Sequence, residues 1–238
     1  MAGSGMSAYM LHGVSLLASR TPVQLATQGV SGRDIQMAAL RASTPKSGLD
    51  WIDIGCGTGD LLRAVRDRSA PRTLVGTDII DWLTEDLRDD VDLVTGPAEL
   101  VANRLGSADR VLMIEVLEHL ESPWTTLRAA ARLVRPGGRL VVTTPNIGSL
   151  RHRIELPIRG QLTSFRPDNL AHLTPVLPHT VRHLLRAEGL AVSSAYVGAD
   201  LLPAGRGRRW PHSMRGISPS LTHRSVLFVG TRASDEAN

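Results

Sequence analysis

The chain has 238 residues, 42% of them hydrophobic and 21% charged, with a net charge of +4. That balance suits an ordinary globular protein able to bury a sizeable core. No apolar run approaches the roughly 18 residues of a membrane-crossing helix, and the single cysteine, Cys56, excludes an internal disulfide framework. The mildly apolar start "MAGSGMSAYMLHGVSLLASR" has no Lys or Arg ahead of its apolar stretch, unlike a secretory leader, so a cytoplasmic protein is expected.

Residues 1–47 read as a polar-capped helical segment that could cover a ligand crevice. From residue 48 to 238 short apolar runs alternate with helical patterns. Strands are predicted at 50–55, 73–78, 91–96, 110–116 and 139–145. Helices are predicted at 59–68, 81–88, 97–105 and 123–134, the last stopped by "RPGG". Strands separated by single helices form parallel βαβ units, so the expected fold is α/β, with a doubly wound sheet. Residues 146–177 hold Pro157, Pro167 and Pro175, are too long for a plain connection, and read as a lid or substrate-binding insertion. An amphipathic helix, "HTVRHLLRAEG", follows, capped by Gly189. Two final strands, 190–198 and 224–232, close the sheet as a hairpin, giving seven strands in a mostly parallel arrangement. Arginine supplies nearly all the positive charge, Lys46 being the only lysine. Its densest cluster, "GRGRRWPHSMR" at 205–215, reads as an exposed loop or as a surface for phosphate or carboxylate.

The chemistry begins at "DIGCGTGDLL" (53–62). Gly55, Gly57 and Gly59 join a strand to a helix and let a ligand approach the main chain. A dinucleotide fingerprint spaces its glycines as G-x-G-x-x-G, and a nucleotide P-loop ends in G-K-[ST]; neither is present. Asp53 in the preceding strand suits a cationic ligand, a sulfonium or ammonium, better than a pyrophosphate. Asp78 ends the next strand, where ribose hydroxyls of a nucleoside are expected. "TGPAEL" (95–100) ends the third, near an expected adenine position.

On these residues, with "IEVLEHL", "LVRPGGRLVVTTPN" and the closing hairpin, the chain resembles the class I S-adenosylmethionine-dependent methyltransferases over roughly residues 48–232. The resemblance implies a Rossmann-like methyltransferase fold with S-adenosyl-L-methionine as methyl donor. It carries cofactor contacts onto Asp53, Gly55, Cys56, Gly57, Asp78, Ala98, Glu99 and Glu115. Pro97 stands where many relatives have an acid, and Cys56 serves there as a small loop residue rather than a nucleophile.

The fourth strand ends in Glu115, Glu118 and His119, spaced to share one face of a turn. "E-V-L-E-H" resembles many methyltransferases of the ubiquinone pathway, in which the glutamate touches the cofactor and the histidine fixes the loop. It also resembles the metal-dependent 2′-O-methyltransferases of small-RNA 3′ ends, with "TTPN" (143–146) and the downstream His172 of "AHLTP". That second resemblance implies a metal site of Glu115, Glu118, His119 and His172. Carboxylates with imidazole suit Mg²⁺ or Mn²⁺, or Fe²⁺, and the lack of a thiolate disfavours zinc. A cation chelating two adjacent hydroxyls would align the acceptor and acidify it, and His119, His172 and His152 are the candidate bases. His179 and His183 lie within a predicted helix and read as structural.

Aromatic residues make up only 3% of the chain, and the insertion holds only Phe165, which weakens a single-stranded RNA acceptor. Its Arg and His content favours a hydroxyl-rich small molecule or oligosaccharide, a sugar or glycoside, over a phenolic quinone precursor. The expected partners are that acceptor and a second copy of the chain in a homodimer, without nucleic acid or a membrane span. A cofactor-binding subunit without activity and an NAD-dependent oxidoreductase are the competing classes. The first has no feature in its favour and the second has the wrong glycine spacing.

Overall fold

The computed structural model describes residues 32–102, 104–165, 171–199 and 218–234, without the side chains of Glu99 and Ala199. The start of the expected N-terminal cap and the arginine cluster at 205–215 lie outside the described residues. In chain order the elements are α1 (Arg33–Ala42), β1 (Asp50–Ile54), α2 (Asp60–Ser69), β2 (Thr73–Asp78), β3 (Asp92–Thr95), α3 (Ala98–Ala102), β4 (Ala108–Ile114) and α4 (Pro123–Arg132). There follow β5 (Val134–Pro145), α5 (Leu150–Arg159), α6 (Pro178–Ala187), β6 (Leu190–Ala199), α7 (Pro219–Thr222) and β7 (His223–Arg232).

The seven strands form one sheet in the order β3-β2-β1-β4-β5-β7-β6. β1 through β5 run parallel, and β7 is antiparallel to both β5 and β6. The expected fold class and the two closing strands are therefore observed. Chain order reverses between β1 and β4, and the crevice beyond their C-terminal ends is where such sheets bind ligands.

The strands are apolar on both sides because helices cover both faces. Val111, Met113, Leu140 and Val142 pack with α4 and α6 through Leu127, Ala130, Val181 and Leu185. Leu112, Ile114 and Val141 face Leu62 and Val65 of α2 together with Ile35 and Leu40 of α1. α1 thus belongs to the same core as the sheet rather than lying over it as a separate cap.

Three expected elements differ. The helix expected at 81–88 is only a 3₁₀ turn, Glu85–Leu87. Asp81 Oδ1 accepts the Leu83 N–H at 3.1 Å, a local bond that competes with helix propagation. α3 is half the expected length. Residues 146–177, expected to be irregular, contain α5. Ser149 caps it by accepting the His152 N–H, Gly160 ends it with φ +67°, and Pro157 falls in its last turn, which leaves the first two turns intact.

Candidate functional site

The glycine loop and the end of β4 are built against each other. Gly55 has φ +77°, and a Cβ there would lie 2.6 Å from Val116 Cγ2, directly after Glu115. Gly59 (φ +87°) is closed by packing, since a Cβ would meet Leu87 Cδ1 at 2.4 Å and Leu83 Cδ1 at 2.8 Å. Gly57 is different: its φ is +53° and a Cβ would meet nothing within 4 Å. Two glycines therefore allow packing, and the third leaves open main chain at the crevice. The Gly55 and Cys56 N–H groups both donate to the Thr77 carbonyl, at 2.8 and 2.9 Å, tying the loop to β2.

Asp53 is buried beneath this loop, and burial, with the Asp78 charge second, pushes its carboxyl up to about 8. Asp78 is half-buried; its Oδ2 accepts the Gly57 N–H at 2.9 Å and its Oδ1 the Ile79 N–H at 2.7 Å. Burial raises its pKa, and these main-chain bonds oppose the rise. Two carboxyls at adjacent strand ends, one deep and uncompensated and one at the rim, suit a ligand with a cationic centre and a hydroxyl-bearing ring. Cys56 is buried, and burial pushes its thiol up, which removes nucleophilic character. Ala98 starts α3 and packs beside the main core; the Glu99 side chain lies outside the described residues.

Glu118, His119 and His172 come together at the end of β4. One ligand atom from each lies within 4.8 Å of the others. Main-chain bonds join the two segments: the Leu173 and Thr174 N–H groups donate to the Glu118 carbonyl at 2.7 and 3.0 Å. Thr174 Oγ1 donates to the Leu120 carbonyl at 2.7 Å. Glu118 is fully buried, and neither carboxylate oxygen has a hydrogen-bond partner. Burial first and Glu115 second raise its pKa well above the usual carboxylate range. His119 Nδ1 lies 2.8 Å from the Ala171 carbonyl, so that nitrogen carries the proton and Nε2 keeps its lone pair. The His172 ring stands edge-on to it, centroids 4.8 Å apart, and its Nδ1 is buried without a partner. Burial, with His119 adding, lowers the His172 pKa to about 4. Buried polar atoms without partners are costly and rare; Glu118 and His172 both have them, and carboxylate oxygen with neutral imidazole is a set that could hold a divalent cation.

Glu115 stands apart from those three. It has φ +55°, one of three non-glycine residues with positive φ among the described residues. Burial brings its pKa to about 7, with the nearby hydroxyls of Thr143 and Ser225 and the Arg224 charge opposing the rise, and its N–H donates to Thr143 Oγ1 at 3.0 Å. Its Oε1 has no partner. His152 is also elsewhere: its Nδ1 lies 2.9 Å from the Asn146 carbonyl and its Nε2 3.2 Å from Ser164 Oγ. Both ring nitrogens are engaged in holding α5 to the chain on either side. Ser225 and Ser164 carry no sequence motif of their own; Thr143 and Asn146 belong to "TTPN", but the run by itself gives neither a role. Only the strand register, with Thr143 opposite Ile114, would have drawn attention to Thr143.

Residues 31–195 match the methyltransferase domain family. A ubiquinone biosynthesis O-methyltransferase of Xanthomonas oryzae pv. oryzae is 27% identical over 164 residues, 66% of this chain and 65% of the relative. One of Caulobacter vibrioides is 34% identical over 111 residues, 44% of each chain. The chain thus spans just under two thirds of the length of the first of these relatives. Among solved structures, a SAM-dependent methyltransferase from Archaeoglobus fulgidus superposes with a TM-score of 0.59 at 15% identity, covering 95% of this chain and 100% of that one. The N-methyltransferase NodS from Bradyrhizobium japonicum, solved with S-adenosyl-L-homocysteine, gives 0.55 at 14% identity, covering 90% and 99%. The strand order and these likenesses agree: the chain belongs to the methyltransferase domain family and has the fold of the S-adenosylmethionine-dependent methyltransferases.

Proposed function

We propose that the chain moves a methyl group from S-adenosylmethionine to a hydroxyl of a sugar or glycoside, with Mg²⁺ or Mn²⁺ held by Glu118, His119 and His172 and approached by Glu115. The observation that carries the reading is the convergence of unpartnered buried atoms, Glu118 Oε1 and Oε2 with His172 Nδ1, within one ligand-sized cluster. Bound there, a divalent cation supplies Lewis acidity and a template for two adjacent hydroxyls.

The chain's own residues divide the work. Asp53 offers its carboxyl to the cationic end of the methyl donor, Asp78 accepts from the ribose hydroxyls, and the open main chain at Gly57 lets the ligand approach. Glu118 gives a carboxylate to the acceptor side once its proton is displaced. His119 and His172 are neutral near pH 7, because burial lowers both pKa values, so each presents a lone pair. With both imidazoles given to the cation, the proton of the acceptor hydroxyl would pass to solvent; an imidazole left free of the cation would be the base instead. His152, with both ring nitrogens engaged, holds the insertion in place instead.

A phenolic acceptor is the second reading, and a specific observation favours it. Ile154, Leu156, Ile158, Leu173 and Leu177 are large apolar side chains left exposed on the insertion, and the curated relatives are named for ubiquinone biosynthesis. A labelled-methyl screen over sugars, glycosides, catechols and RNA 3′ ends separates the cases. The sugar reading predicts label on acceptors with adjacent hydroxyls and none after exhaustive chelation. Label confined to catechols, or to RNA 3′ ends, overturns the glycoside assignment.

A further inference from the structure

α5 packs inside out. A helix on a globular surface normally turns its apolar stripe to the core and its polar side to water. In α5 the one buried residue is His152, with its ring held by the Asn146 carbonyl at 2.9 Å and Ser164 Oγ at 3.2 Å. Glu155 is also turned inward, its side chain only 11% exposed. Its carboxylate accepts the Thr163 N–H at 3.3 Å, the Thr163 hydroxyl, and Arg151 Nε at 3.0 Å. The apolar residues are left outside: Ile154 is 40%, Leu156 50% and Ile158 75% exposed, and Ile158 is the most exposed large hydrophobic side chain among the described residues. Ile154 and Ile158, four apart, share a face with the exposed Pro157. At helical spacing Arg151 and Arg153 border that face on its two sides, and Arg159 ends the helix. Arg153 uses Nε on the Gly148 carbonyl at 2.9 Å, and Arg159 is 64% exposed, its Nη1 4.0 Å from Glu155. Glu155 is the only carboxylate of the helix, so the outer face offers apolar and cationic groups without an exposed anion.

We propose that α5 is an interfacial anchor that lays the insertion on an anionic membrane surface. Charge complementarity selects that occupant. An anionic bilayer offers headgroup phosphates to the arginines and acyl carbon to Ile154 and Ile158 in one plane. A second copy docked by the same face about a two-fold axis would set the arginines of two helices against each other with no acid to meet them. The helix has 10 residues, about 15 Å of length, and no described helix is long and apolar enough to cross a membrane. α5 therefore lies along the interface, and its hold is reversible and weakened by salt. The anchor needs neither the cation nor the acceptor assigned above.

The test sediments the full chain with vesicles of phosphatidylcholine alone and of phosphatidylcholine mixed with phosphatidylglycerol. It compares wild type with two double variants, Ile154→Ser with Ile158→Ser and Arg153→Gln with Arg159→Gln, and follows thermal unfolding of each. Wild type should bind the phosphatidylglycerol vesicles and lose them as salt is raised. The serine variant should bind at least about tenfold more weakly, the factor expected for one such side chain left unburied. The glutamine variant should lose about fivefold per arginine, and all three chains should unfold at the same temperature. Four results overturn the proposal: no binding by wild type, equal binding to both kinds of vesicle, or undiminished binding by the serine variant. The fourth is a lower unfolding temperature or a lost dimer in the serine variant, which would mean that the chain itself or a second copy covers this face.

Discussion

His119 and His172 meet edge to face with ring centroids 4.8 Å apart, and the bond from His119 Nδ1 to the Ala171 carbonyl fixes which nitrogen the His119 ring leaves free. One ring is oriented by the main chain next to the other, so the pair behaves as a unit. His119→Ala and His172→Ala should each weaken Mn²⁺ binding by roughly 10-fold or more. The double variant should lose little beyond the worse single one. Titration of all three variants checks this, and independent, additive losses would show that the rings do not share a ligand.

Asp53 provides the pH dependence. Its carboxyl is raised to about 8 against about 3.9 in an unfolded chain. The folded state therefore binds more protons between those values, and stability falls as pH rises through that window. At pH 7 the group carries its proton, and a cationic ligand placed beside it should drive the proton off. Calorimetry of S-adenosylhomocysteine binding in buffers of different ionisation enthalpy should register proton release at pH 7. Asp53→Asn should abolish that release, flatten the pH–stability slope and weaken binding by about 10–100-fold, the loss of a charge-assisted hydrogen bond. Unchanged proton release in the variant would move the role to another group.

Glu115 carries a cost that function would explain. Glu115→Gly relieves its positive φ and removes a buried carboxyl that raises the pKa of Glu118. Thermal unfolding should show a gain of about 1 kcal/mol, while Mn²⁺ binding falls. A destabilised variant would mean that the surroundings of the carboxylate outweigh the strain.

His152 should behave as a bracket rather than a base. Its bonds to Asn146 and Ser164 hold α5 near the ring of Phe165, which packs on His172 with centroids 5.4 Å apart. His152→Ala should lose about 1–3 kcal/mol of stability from unpaired buried groups and raise the acceptor KM, with the shape of the kcat–pH profile unchanged. A loss in kcat with the acceptor KM unchanged would return His152 to the chemistry.

The parts legible in the sequence were those with a strong period or a local motif. Seven strands announced themselves as apolar runs because helices cover both sheet faces, and Asp53 and Asp78 stood out at the ends of two of them. Glu118, His119 and His172 could be grouped only through resemblance, since the bonds from Leu173 and Thr174 to the Glu118 carbonyl are long-range. α5 was hidden by Pro157, which argues against a helix unless its place in the last turn is known. The different tasks of Gly57 and Gly59 depend on where Leu83 and Leu87 fall. Thr143 stood within the "TTPN" run, but its bond to the Glu115 N–H was not legible, because it comes from strand pairing and from the unusual backbone of Glu115.

The account is tested most directly by anomalous diffraction at the manganese edge from crystals soaked in Mn²⁺ and S-adenosylhomocysteine. It predicts one strong peak enclosed by Glu118, His119 and His172, and the nucleoside lying over Asp53 and Asp78. The nucleoside bound as described with no manganese among those side chains would contradict it.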